Sequence, residues 1–344
     1  MNNQIQVNWN TFTIDNGQVT EVFRDNNLLI SIPGNSGNYV DSTVTCKTNY
    51  CYSLRTSYPN GSVSNSNVSC DSAFSTDQPG PVVNISSIHS GGQIAWNWQV
   101  PSGVIPATYH LNLTSSLGLN IKTDTSLLNQ YISITQPDSM QCLQITIDDS
   151  CGNESAPGIK ACSMVVQGTP ETKGAVQLNW NAYSGWSMPP TEYYVVIYDE
   201  FLVVVDSISV GQATDYLETV DQAHAQVSNY AIWAISSDPL ITNSRSNVVK
   251  VIRDPVISVP NAFTPNGDNM NDSFLVSGRF LQKVEITVFN RWGETVFKTD
   301  DENGWDGKLK DKVAPVGNYI YKVNVEDSAG IHHERTGTVL LLKK

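Results

Sequence analysis

The stretch VFNRWGETVFK (288–298), with NGWDG (303–307) and PVGNYIYKVNVE (315–326) behind it, decides how the C-terminal quarter of this chain folds. Gly293, directly after Arg291-Trp292, predicts a hairpin turn between KVEITVFN and ETVFK. Gly317-Asn318 leads into the strand YIYKVNVE, and Gly330 turns the chain into a last strand, GTVLLLKK. Upstream, VPNAFTPNGDNMNDSF (259–274) runs from a strand end into a turn, because Pro265 presets φ while Asn266-Gly267 accepts positive φ. Phe274, Phe289, Trp292, Phe297, Trp305, Tyr319 and Tyr321 are spaced to fill the core of one small domain without helices. The region reads as a sandwich of about seven strands.

Four blocks in this region occur in a fixed order: Asn261-Ala262-Phe263-Thr264-Pro265-Asn266-Gly267-Asp268, Asn290-Arg291-Trp292-Gly293, Trp305-Asp306-Gly307, and Pro315-x-Gly317-x-Tyr319. Together they resemble the gliding motility-associated C-terminal domain, a type B sorting domain of the type IX secretion system, over residues 256–344. The pattern departs at Asn269-Met270, where the family carries a glycine and an aliphatic residue; Met270 is still apolar and Asn tolerates left-handed geometry. The resemblance implies passage across the inner membrane behind a cleaved signal peptide and across the outer membrane through the type IX outer-membrane translocon. It also implies a dedicated outer-membrane partner protein and a final place outside the cell, at the outer-membrane surface. Many proteins with such tails are large repetitive surface proteins, gliding adhesins among them. Lys343 and Lys344 are candidates for reading a carboxylate or a lipid headgroup, the plainer reading being two solvated lysines.

Ahead of the tail, QVNWN (6–10), AWNWQ (95–99) and QLNWN (177–181) each alternate apolar and polar residues around a tryptophan, as a half-buried strand does. Trp9, Trp98 and Trp180 are 89 and 82 residues apart, one small sandwich per repeat. Later in each repeat come YCYSLRTSY (50–58), QCLQITIDD (141–149) and YAIWAISSD (230–238), again with period two. This organisation is similar to that of fibronectin type III repeats. Proline-bearing joints at Asp77–Pro81, Gln167–Pro170 and Arg253–Pro255 divide the chain into 1–77, 78–168, 169–255 and 256–344. The fold class expected is all-β: tandem Ig-like or fibronectin type III-like sandwiches ending in an Ig-like sorting domain. The start, MNNQIQVNWN, has neither a basic segment nor an apolar core of a signal peptide and reads as the interior of a first repeat that lacks part of its first strand. The expectation is therefore a fragment of a longer exported protein.

Six cysteines fall in the first two repeats. Cys51 and Cys70 flank Asn60-Gly61, a strong hairpin signal, so they face one another if that pair is the tip. Cys142 and Cys162 hold equivalent places in the second repeat. Cys46 and Cys151 are left to pair with each other, to stay free, or to displace one of those pairs. A zinc site competes, but no histidine follows at ligand spacing, and an oxidising compartment is the better inference.

The net charge of −13 is unevenly placed. Residues 256–344 hold 11 of the 20 basic and 12 of the 33 acidic residues, leaving 9 and 21 to residues 1–255. Acidic repeats argue against nucleic-acid binding. No apolar run reaches the roughly 18 residues that span a bilayer. Asn266, Asp268, Asn271 and Asp272 make an oxygen-rich loop without calcium-loop spacing, and Asp300-Asp301-Glu302 reads as a solvated loop. His332-His333-Glu334 suggests a metal or acid–base cluster, but neighbours on a strand point to opposite faces, so an exposed edge is expected. Triplets at Ser72, Ser139, Ser207 and Ser328 and the Asn-x-Ser/Thr sites resemble glycosylation acceptors with little specificity. No catalytic constellation and no cofactor or metal site is read. The expected role is non-enzymatic, a spacer and sorting region of a surface adhesin. One alternative is the same role behind a secreted polysaccharide-degrading domain lying upstream. Another is carbohydrate binding by the repeats, with Tyr183 and Trp186 as a stacking platform.

Overall fold

The computed structural model describes residues 4–11, 18–136, 138–300, 304–310 and 312–342. Among them the only helical element is a three-residue 3-10 turn, Thr172–Gly174, and strands make up the rest of the regular structure. The all-β class follows from the two-residue alternation read above. No helix among the described residues is long and apolar enough to cross a membrane. The residues group into two compact units. One holds Met1–Ser163 with Tyr183–Pro190 and Ser236–Ser244; the other holds Met164–Ala182, Thr191–Ile235 and Arg245–Lys344.

In the first unit, Val19–Arg24 lies antiparallel between Asn27–Pro33 and Asn49–Ser57, while Ile5–Asn8 pairs with Asn38–Asp41. Asp25 and Asn26, at φ 50° and 66°, supply the two left-handed residues that a two-residue hairpin loop needs. Ile5, Val22, Val44, Tyr52 and Ala73 form the core here, with Trp9 packed against it and only partly buried. Farther along, Pro106–Ser115 lies between Asn120–Ser126 and Gln141–Asp149, and Gln93–Trp98 between Ile85–Ser90 and Gln130–Ile134. Trp96 and Trp98 stand two residues apart and so share a face; both are buried with Tyr109, Leu111 and Ile145. Trp98 meets Tyr109 edge-on at 5.1 Å.

Three disulfides tie this unit: Cys51–Cys70, Cys142–Cys162 and Cys46–Cys151. The first two join residues directly opposite one another on paired strands. The third links residues 105 apart in sequence, a pairing that sequence could not choose.

In the second unit, Val176–Trp180 lies between Val166–Pro170 and Asp215–Glu218, and Val227–Ile235 between Glu192–Tyr198 and Val249–Ile252. The segment Gln167–Pro170, read from sequence as a joint, thus falls inside a strand. It is the outer strand of its three-stranded sheet, where proline's missing amide does least harm. Glu218, Tyr230 and Arg253 form a buried cluster in which Arg253 donates to both other side chains. Burial pushes the Tyr230 hydroxyl up, as does its hydrogen bond to Glu218.

The tail is built on a five-stranded sheet in the order Ala262–Phe263, His332–Leu341, Gly317–Asp327, Leu281–Phe289, Thr295–Thr299. The first pairing is parallel and the others are antiparallel. Two short antiparallel pairs, Val256–Ser258 with Ser277–Arg279 and Lys308–Leu309 with Lys312–Val313, accompany it. The core gathers Phe263, Phe274, Ile286, Val288, Trp305 and Val323, all buried.

Candidate functional site

The four sequence blocks of the tail divide between its core and one exposed face. Phe263 is buried, with its ring 5.3 Å from that of Trp305. The backbone on either side is fastened to the last strand: the Asn261 carbonyl accepts from Leu340 and the Phe263 carbonyl from Leu342. In the loop that follows, the Asp272 carboxylate accepts the amides of Asn266, Gly267 and Asn269 at 2.7–2.9 Å. Those bonds, led by the Gly267 amide, hold its carboxyl below the usual carboxylate range. Asp268 accepts from the Asn266 side chain and the Met270 amide. The oxygens of this loop are thus engaged in turn chemistry, and Asn269 and Asn271 take the left-handed geometry that it requires.

Trp305 is fully buried, donates to the Lys308 carbonyl at 2.8 Å and meets Tyr319 edge-on at 4.7 Å. Asp306 takes the Lys308 ammonium at 2.8 Å, which with the Lys308 amide holds its carboxyl low despite the opposing effect of burial. Gly307 sits at φ 74°, and a Cβ there would stand 3.0 Å from Pro265. Two blocks therefore touch at that glycine. The Tyr319 hydroxyl donates to the Pro315 carbonyl at 2.7 Å, closing the Pro315–Tyr319 loop in the manner of a tyrosine corner.

The Asn290–Gly293 block differs. The Asn290 side-chain oxygen accepts the amides of Trp292 and Glu294, its side-chain nitrogen donates to Glu294, and Gly293 takes φ 84°. This builds the hairpin tip and leaves Trp292 outside. Read from sequence as a core residue, Trp292 is 72 % exposed. Phe289 is likewise only partly buried. The reason is positional: residues at a hairpin tip project past the end of the sheet, where no second layer covers them. The Arg291 guanidinium lies over the Trp292 ring at 4.4 Å. Beside the pair opens a groove of about 240 Å³ lined by Trp292, Val296, Leu309, Pro315, Val316 and Tyr319. Val316 and Leu309 are exposed, and so is Val313 on the adjoining strand.

A second feature of this unit is polar. The buried Asp327 carboxylate accepts from Gln226 at 2.7 Å, from the Ile331 and Ala329 amides, and pairs with His333 at 2.8 Å. Gln226 in turn accepts from the Ala329 amide. Burial pushes the Asp327 carboxyl up, but the hydrogen bonds from His333, Ile331 and Gln226 outweigh it and hold the group below its usual value. His333 is therefore more than an edge residue, because its neighbour across the turn is a buried carboxylate. His332 remains exposed.

Elsewhere, Tyr183 and Trp186 offer no stacking platform. Both are buried, ring against ring at 4.8 Å, with Tyr183 donating to the Ile85 carbonyl and Trp186 to Ser86 at 3.0 Å. His110 pairs with Asp148 at 2.9 Å and His224 with Asp206 at 3.3 Å, both partly exposed. Burial pushes His89 down to about 4. Lys343, Lys344, Asp301 and Glu302 lie outside the described residues.

Residues 257–341 match the family model CHU_C Type IX secretion signal domain. The chain thus carries a signal domain of that system, the mark of a protein exported to the cell surface or beyond it. No curated protein matches the chain. Among solved structures, the FN1-FN3 domains of chicken CNTN1 are similar at 14 % identity and a TM-score of 0.21, over 77 % of this chain and 99 % of that one. The fold described above rests on its own strand pairing.

Proposed function

We propose that the chain is the sorting and spacer region of a cell-surface adhesin of gliding motility. In this reading residues 1–77, 78–165 and 166–255 are spacer repeats, the second joint moved ahead of the strand Val166–Pro170, and 256–344 is the address. The tail engages the type IX outer-membrane translocon and then a dedicated outer-membrane partner protein that holds the chain at the surface. The role of these residues is non-catalytic. The observation that carries the reading is the match of residues 257–341 to the signal-domain family. The exposed Trp292 face supports it, as large exposed apolar groups mark interaction sites. The acidic repeats and their three disulfides suit an oxidising, extracellular setting.

The test is a transplant. Residues 256–344, and separately 168–344, are fused to a fluorescent protein behind a cleavable signal peptide and expressed in cells with a working type IX system. Fluorescence accessible to an external antibody is the expected result for the longer fusion at least. Failure of both to reach the surface contradicts the assignment.

A further inference from the structure

We infer that the groove beside Trp292 is the tail's contact with its export or anchoring partner, and that its occupant is an extended polypeptide segment in which an aliphatic side chain neighbours a carboxylate. The inference rests on the sorting reading and deepens it by naming the recognition chemistry.

The groove's walls are mainly apolar, with Trp292, Val296, Leu309, Pro315, Val316 and the ring of Tyr319, and Asn290 and Asn318 add uncharged polar groups. Its volume of about 240 Å³ suits one or two side chains of a peptide rather than a cofactor. Arg291 is the only charged residue among those lining it. Its guanidinium carbon stands 4.4 Å from the centre of the Trp292 ring, and the group forms no ion pair among the described residues. An exposed guanidinium held beside an aromatic face and without an ion pair keeps donors that a carboxylate can take in a fork. Leu309 sits on the short pair Lys308–Leu309 with Lys312–Val313. Among the described residues lining the groove the one charge is thus positive, which selects a carboxylate on the occupant. Two copies of a chain of net charge −13 repel one another as wholes, which disfavours a second copy.

The turn chemistry agrees. Asn290 spends its side chain on the amides of Trp292 and Glu294, so the hairpin tip is fixed before any partner arrives. Burying a large aromatic side chain from a rigid mount costs little conformational entropy, and Trp and Arg are the residues that most often dominate interface energetics.

The experiment uses the whole chain behind an export leader in type IX-competent cells. A benzophenone-bearing residue replaces Val316 in chains carrying Arg291, Arg291→Lys or Arg291→Glu, with Trp292→Ala as a further variant. Cross-linked peptides are sequenced and surface display is measured. The expected result is a cross-link to a protein segment with an aliphatic residue beside Asp or Glu. Arg291→Glu and Trp292→Ala should lower cross-linking at least about tenfold, with partial recovery in Arg291→Lys. Because Arg291 and Trp292 are exposed, unchanged urea midpoints should separate lost contact from lost fold. Cross-links to glycan, lipid, a second copy of the chain, or a segment without a carboxylate overturn the inference. So does the absence of any cross-link, or indifference to Arg291→Glu. A parallel chain lacking residues 256–344 separates the two claims: if it is not displayed while the groove variants are, the sorting reading stands and the groove assignment falls. If it is displayed normally, the sorting reading itself fails.

Discussion

Two tryptophans of the tail, thirteen positions apart in sequence, sit in opposite worlds. Trp305 is wholly buried among Phe263, Phe297 and Tyr319, while Trp292 stands 72 % exposed with the Arg291 guanidinium beside its ring. Both belong to motif blocks that sequence treats alike. A motif can thus mix two kinds of constraint: residues that make the domain fold and residues that the folded domain presents. Phe263, Gly307 and Tyr319 belong to the first kind and Arg291, Trp292 and Val316 to the second.

Substitutions should pull the two kinds apart. The largest loss is expected for Trp305→Ala, about 4 kcal/mol of unfolding free energy from the cavity and the lost transfer term, read as a collapse of the urea midpoint of the tail. Display should fail with it, through unfolding. Asp327→Ala comes next, at about 2–3 kcal/mol, because it strands Gln226, His333 and two amides at once. The same carboxyl gives a pH signature. Its value in the folded protein lies below the usual one, so its stabilisation is complete above about pH 4 and is lost as the pH falls through the folded value. Urea midpoints measured from pH 7 to pH 3 should drop in the parent and drop less in Asp327→Asn. Gly293→Ala should cost about 1 kcal/mol, since a Cβ meets nothing within 4 Å and only the positive φ is penalised. Smallest of all, Trp292→Ala should move stability by no more than about 0.5 kcal/mol while reducing display. Equal stability losses for Trp292→Ala and Trp305→Ala would erase the distinction between scaffold and display.

Much of the scaffold was legible because turn chemistry is local. Gly293, Gly330 and Asn269 announced their turns, and alternation around Trp98 and Trp180 announced the strands. Cys51 and Cys70 could be paired through the hairpin tip between them. What sequence could not show were partners distant along the chain. Tyr183 and Trp186 are polar-tipped aromatics in a turn-rich loop, a pattern suited to exposure. They are buried because Ile85 and Ser86, about 100 residues earlier, receive their hydrogen bonds. Gln226 and Asp327 meet across 101 residues for the same kind of reason. Pro170 misled in another way: proline marks a joint or an edge strand with equal ease, and only pairing with Val176 decides. Within the candidate site, the motif named the residues, but their division into buried and exposed depended on where the sheet ends.

If the tail directs the chain out of the cell, removing it must keep the chain inside. The full chain and one ending at Pro255, each behind the same signal peptide, are expressed in type IX-competent cells, and the fraction open to externally added protease is measured. The full chain should be digested at the surface, and the truncated chain should stay protected in the periplasm. Equal digestion of both would contradict that role of the tail.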